Sequence, residues 1–190
     1  MRKIATKGEE DKRKQRNTVV VGIILVVVMF ISVLGFGFQG QPKDDNTYES
    51  MIYNGYEFIP QNGIWNLQIG NFQFGFKYNP NEVSKIDSEV NDLSSYANKP
   101  LYIKSENPES EFELYRNLDN IILRRQYACL NKEGCEGDYP IKTCEDNFII
   151  IEQGNSSEIL QEENCVFIRG PSENLTYLTD EFLFKIIGIE

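Results

Sequence analysis

The residues of this 190-residue chain with the most distinctive chemistry are four cysteines, Cys129, Cys135, Cys144 and Cys165, in a sequence without histidine. Thiols can hold a metal, exchange electrons or form structural disulfides, and spacing separates these uses. Tetrahedral zinc asks for closely spaced C-x₂₋₄-C pairs or histidine partners. Here five, eight and twenty residues intervene between successive cysteines, so no zinc site is expected. No C-x-x-C of a thiol oxidoreductase is present either. Outside the cytoplasm an even count favours two disulfides, with three connectivities open. Asp146–Glu152 and Ser156–Ile168 read as strands joined at Gly154-Asn155. A two-residue loop there would set Cys144 opposite Cys165, at a Cα separation of ~4.5–5.5 Å that suits a disulfide. Cys129 is then left to pair with Cys135 across a tight loop.

Other catalytic chemistry is thinly provided. Without histidine there is no Ser-His-Asp or Cys-His arrangement, and the usual metal centres lose their commonest ligand. No G-x-S-x-G, Walker A or kinase pattern occurs, and no metal or cofactor is expected. Carboxylates are abundant, and two of them could hydrolyse a glycosidic bond. With 26 of the 29 acids lying after residue 38, however, nothing selects a pair. Asn155-Ser156-Ser157 and Asn174-Leu175-Thr176 fit the N-glycosylation sequon, which makes Asn155 and Asn174 acceptor candidates in a host that glycosylates exported chains.

Which compartment these groups occupy depends on Thr18–Phe38, TVVVGIILVVVMFISVLGFGF, which carries no charge. At about 1.5 Å per residue, a helix of this length crosses the ~30 Å hydrocarbon core of a bilayer. The preceding residues 1–17 hold seven Lys/Arg against three acids, net +4, so with −10 for the whole chain the remainder carries −14. Basic residues beside a span stay cytoplasmic, which places the tail inside, in contact with membrane lipid, and everything after the span outside. A cleaved signal peptide is the alternative, with Gly35 and Gly37 as a small-x-small site, but its apolar region is shorter than this run. Residues Gly35–Gly40 match G-x-G-x-x-G formally. They follow an apolar helix rather than a strand and precede Gln41-Pro42, so they are read as the exit of the span rather than a dinucleotide site. The acidic remainder argues against nucleic acid as a partner.

After a polar linker at 39–50, strands are expected. Met51–Tyr53 and Tyr56–Phe58 flank Asn54-Gly55, a pair that accepts positive φ at both turn positions. Trp65, Leu67 and Ile69 alternate with polar residues, as do Phe72, Phe74, Phe76 and Tyr78 after Gly70-Asn71. That loop pairs Ile69 with Phe72, Leu67 with Phe74 and Trp65 with Phe76 on one face. Such a face is a core surface awaiting helices or, in the sharper reading, a ligand platform built on Trp65, Phe74 and Phe76. Residues 82–98 are read as a strand or a helical turn, and Pro100–Lys104 as a strand. A helix is expected from about 108 to 129, with Phe112, Tyr115, Leu118, Ile122 and Arg125 on one stripe. A second is expected near the C-terminus, with Leu175, Leu178, Phe182, Ile186 and Ile189 apolar, Thr179 as its cap and Gly188 as its stop.

The expected protein is therefore α+β: a basic cytoplasmic tail (1–17), one transmembrane helix (18–38), a linker (39–50) and a single extracytoplasmic domain (51–190) of antiparallel β-hairpins covered by about two helices. Its expected role is a binding or structural module of the cell membrane, an accessory subunit of an envelope complex with a protein partner. The rival readings are a membrane-anchored hydrolase using a carboxylate pair and an anchored glycan-binding domain.

Overall fold

The computed structural model describes residues 7–38, 49–132, 135 and 137–189. The chain divides into two units, Met1–Thr47 and Tyr48–Glu190. Most of the expected 39–50 linker lies outside the described residues.

The first unit contains one helix, α1 (Lys7–Phe38, 32 residues), whose stretch Gln15–Ser32 has a mean hydropathy of 1.9 and is exposed throughout. By length and composition it can cross a bilayer. It begins within the basic tail and runs through Gly35 and Gly37 to Phe38.

The second unit is α+β and opens with a four-stranded antiparallel meander, β1 (Met51–Tyr53), β2 (Tyr56–Gln61), β3 (Ile64–Ile69) and β4 (Phe72–Phe76). Asn54 and Gly55 take φ of 48° and 84°, the two positive values that a tight hairpin turn requires. Ile69 pairs with Phe72, Leu67 with Phe74 and Trp65 with Phe76. A third tight turn, Asn62-Gly63, joins β2 to β3; Pro60 breaks the sequence alternation that would have revealed it. Between Tyr78 and Lys99 the only regular element is a 3₁₀ turn at Leu93–Ser95, capped by the Asp92 side chain.

A second, five-stranded sheet has the order β6-β5-β7-β9-β8. It comprises β5 (Pro100–Ser105), β6 (Arg124–Tyr127), β7 (Phe148–Gln153), β8 (Glu158–Glu162) and β9 (Cys165–Gly170). The first four strands in that order run parallel, and only β8 is antiparallel to its neighbour. This corrects two expectations. Residues 156–168 are not one strand but two, turned at Glu163, whose φ is 52°. Nor does β7 form a hairpin with the strand that follows it; it lies parallel to β9, with Phe148 opposite Cys165.

The helix expected over 108–129 ends at Leu118. In α2 (Pro108–Leu118), Asn107 caps the N-terminus through Ser110 N and Pro108 occupies the first turn. After Asp119-Asn120 the backbone turns, and Arg124–Tyr127 hydrogen-bond to β5 instead of continuing the helix. The buried face consists of Ser110, Glu113, Leu114, Asn117 and Leu118, while Phe112 is exposed. The C-terminal helix, α3 (Leu175–Ile186), starts a turn earlier than expected: Thr179 lies inside it, with its hydroxyl on Leu175 O at 2.8 Å. Gly188, at φ 75°, follows its end.

Both helices contribute to the core between the two sheets: α3 is buried nearly all round, whereas α2 buries one face. Phe184 of α3 meets Phe76 and Phe58 of the meander at ring separations of 4.5 and 6.0 Å. Leu101, Ile103, Ile149, Ile151, Val166 and Ile168 close the same core from the second sheet. At roughly 1.5–3 kcal/mol for each large apolar side chain removed from water, this layer is the main source of stability.

Candidate functional site

A parallel strand alternates its side chains between the two faces of the sheet. One face of the five-stranded sheet is core, and the other carries Tyr102 and Lys104 of β5, Phe148, Ile150 and Glu152 of β7, and Cys165, Phe167 and Arg169 of β9. Its lower end is covered. Tyr102, Phe148 and Cys165 pack with Ala128, Leu130 and Cys144 in a second small core. Two disulfides hold that covering segment: Cys144–Cys165, with Cα atoms 4.9 Å apart, and Cys129–Cys135, at 5.8 Å.

At the carboxyl ends of the same strands the face opens into two adjoining cavities. The first, of about 340 Å³, is lined by Lys104, Ser105, Glu106, Tyr127, Cys129 and Tyr139, among others. The second, of about 230 Å³, shares Lys104 and Cys129 and runs over Ile150, Glu152, Phe167 and Arg169. Open sheets with parallel strands place their ligands beyond the carboxyl ends of those strands, because the loops there can diverge.

The charges in this groove differ in how far they are satisfied. Arg169 donates to Glu152 at 2.6 Å and to Glu158 at 3.1 Å, and it stacks on Phe167 at 4.7 Å. Its charge is thereby answered twice, and its pKa is raised mainly by the bond to Glu152. Lys104 and Glu106 have no ion pair within 4.0 Å among the described residues, with each other or with any neighbour. Glu106 accepts one hydrogen bond, from Gln153 N at 3.0 Å. Tyr127 and Tyr139 stand 5.8 Å apart at the rim, each about half exposed.

A second titratable cluster is sealed between α2 and α3. Glu113 is 1% exposed and Asp180 is fully buried. Asp180 Oδ2 accepts from Tyr78 N at 2.9 Å, Arg116 reaches Glu113 at 3.0 Å, and Asp180 Oδ1 has no hydrogen-bond partner among the described residues. Burial first, and then the charge of Glu113, push the Asp180 carboxyl well above its ordinary range. Burial also raises Glu113, against the opposing pull of Arg116. A like charge beside a buried carboxyl favours its protonated form.

The structure disperses the residues singled out in the sequence. Cys129 borders the groove, whereas Cys144 and Cys165 lie under its covered end. Asn155 is exposed in the β7–β8 turn; Asn174 is exposed just before α3, but Thr176 of its sequon is buried and bonded to Glu109 and Ser110. Phe74 and Phe76 are buried against the helices, so the aromatic face is core rather than an open platform. Trp65, half-buried, borders a separate cavity of about 200 Å³ with Pro60, Ile64 and Glu82. Lys104, Glu106, Tyr127, Tyr139, Glu152 and Arg169 escaped the sequence reading because they converge only through parallel pairing of strands distant in the chain. A clue to β6 as a strand was available in Ile121–Leu123, an apolar run ending at two arginines. The chain matches no family model, no curated protein and no solved structure.

Proposed function

We propose that the chain is a single-pass membrane protein with a cytoplasmic N-terminal tail and an extracytoplasmic binding module, serving as an accessory subunit of an envelope complex. The order of features along the chain carries this reading: a basic segment, one unbroken apolar helix, and then a unit whose four cysteines are all in disulfides. Basic flanks favour the cytoplasmic side, and disulfides persist on the other. The groove at the carboxyl ends of β5, β6, β7 and β9 is the surface suited to binding. Membrane lipid surrounds α1, and the partner is a protein of the membrane or envelope.

The rival hydrolase needs two carboxylates that a substrate can reach. Glu113 and Asp180 do not supply them, since both are sealed between helices. Crosslinking and mass spectrometry on intact membranes test the proposal. A stoichiometric protein partner linked through residues of the second unit is the expected result; turnover of a glycoside, abolished by one Asp or Glu substitution, would replace the module with the enzyme.

A further inference from the structure

We infer that the groove takes a small zwitterion, an apolar amino acid or the short peptide that ends in one, with its carboxylate on Lys104 and its ammonium on Glu106. This deepens the binding-module reading and rests on it.

Half-buried Lys104 and exposed Glu106 stand two residues apart at the end of β5, and among the described residues neither is in an ion pair, Glu106 accepting one hydrogen bond from Gln153 N. A half-buried lysine beside a carboxylate would ordinarily close an ion pair. These two remain more than 4.0 Å apart, leaving room for a ligand that bridges them. An anion alone would answer Lys104 and leave it among Glu106 and Glu152, in a strongly acidic domain. A cation alone would leave Lys104 unanswered. An α-amino acid carries both charges on groups bonded to the same carbon and matches the pair with no net change in charge.

The side chain has a place as well. The second cavity opens directly from Lys104 onto Ile150 and Phe167, and Arg169 and Glu152 at its far wall already satisfy each other. An aliphatic side chain there removes apolar surface from water without stranding a charge. Tyr127 and Tyr139 form the outer wall of the first cavity. The combined space is in the range of sites for small organic ligands.

Equilibrium dialysis of the full chain in detergent micelles tests the assignment, with L-leucine and glycyl-L-leucine as probes. At least one probe should bind saturably with a Kd below about 1 mM. N-acetyl-leucine, which lacks the ammonium, and leucinamide, which lacks the carboxylate, should each bind at least about tenfold more weakly than leucine or, if only the peptide binds, than glycyl-leucine. Lys104→Met and Glu106→Gln should have the same effect while leaving the unfolding midpoint unchanged, and Lys104→Arg should retain binding. Preference for leucine identifies a free amino acid, and preference for the dipeptide identifies a peptide source. Absence of saturation by either probe at about 10 mM overturns the assignment. So does equal binding of the blocked derivatives, a comparison that needs no variant to fold. Either failure, in a protein still crosslinked to an envelope partner through another face, leaves the anchored module standing without this ligand.

Discussion

The side-chain amide of Asn117 closes the free edge of β4 at Gly75: it accepts from Gly75 N at 2.8 Å and donates to Gly75 O at 2.8 Å. An exposed edge strand invites pairing with another chain. Here a helix supplies one peptide-like partner, and a second bond from the same amide to Glu113 O, at 2.9 Å, ties it to its own helix. A Cβ at Gly75 would meet Arg116 Cδ and Ile64 Cγ2 at 3.1 Å, so a larger residue there would require both side chains to shift.

Asn117→Leu keeps the volume, strands Gly75 N and leaves Gly75 O only the long bond from Arg116 at 3.5 Å. With each buried unsatisfied group costing about 1–3 kcal/mol, a loss of roughly 2–5 kcal/mol is expected from urea unfolding monitored at Trp65. A change within about 0.5 kcal/mol would mean that water replaces the amide at this edge.

The Glu113–Asp180 pair gives stability a defined pH dependence. Raised folded-state values mean that the native protein holds a proton the unfolded chain has released. The pair's contribution is therefore fully present below the ordinary carboxylate range and is lost as pH rises through the raised values. Arg116 and Lys77 oppose the shift and Glu109 reinforces it. Asp180→Asn retains an acceptor for Tyr78 N and gains a donor toward Glu113. The stability of this variant relative to wild type should rise steadily from about pH 4 towards neutrality. A difference independent of pH would contradict the raised values.

The disulfides should differ in weight. Chain entropy gives about 3 kcal/mol for Cys144–Cys165, which spans 21 residues, and about 2 kcal/mol for Cys129–Cys135, which spans 6. Denaturation of the Cys144→Ser/Cys165→Ser and Cys129→Ser/Cys135→Ser proteins should rank them in that order. Reversal would point to native contacts around Cys129 that loop entropy does not capture.

In a host that glycosylates exported proteins, occupancy at Asn155 should exceed that at Asn174. Asn155 sits in an exposed turn, whereas the second sequon is accessible only before α3 docks and buries Thr176. Glycopeptide mass spectrometry reads both sites, and a glycan found at Asn174 alone would contradict the ordering.

What could be read from the sequence was what depends on near neighbours. Asn54-Gly55 and Gly70-Asn71 specify tight turns by themselves, and each turn fixes its register. Ile122 and Arg125 misled because they continue the helical spacing of α2, yet they lie beyond its end, where pairing with β5 prevails over local periodicity. Cys144 does bond Cys165, but not across the expected hairpin. Parallel β7 and β9 start level with one another, and Asn164 N on Cys144 O at 3.0 Å brings the two cysteines together. The groove was invisible for the same reason: no local pattern announces that the ends of β5, β7 and β9 meet. Burial of Asp180 and Glu181 was equally hidden, because a helix covered on both sides has no wet face for its acids.

The central claim is topological, and protease protection on intact cells tests it most directly. Externally added protease should remove the second unit and leave a membrane-held fragment that contains α1 and the basic tail. Full protection of residues 49–189 until the membrane is opened would place the domain in the cytoplasm and contradict the account.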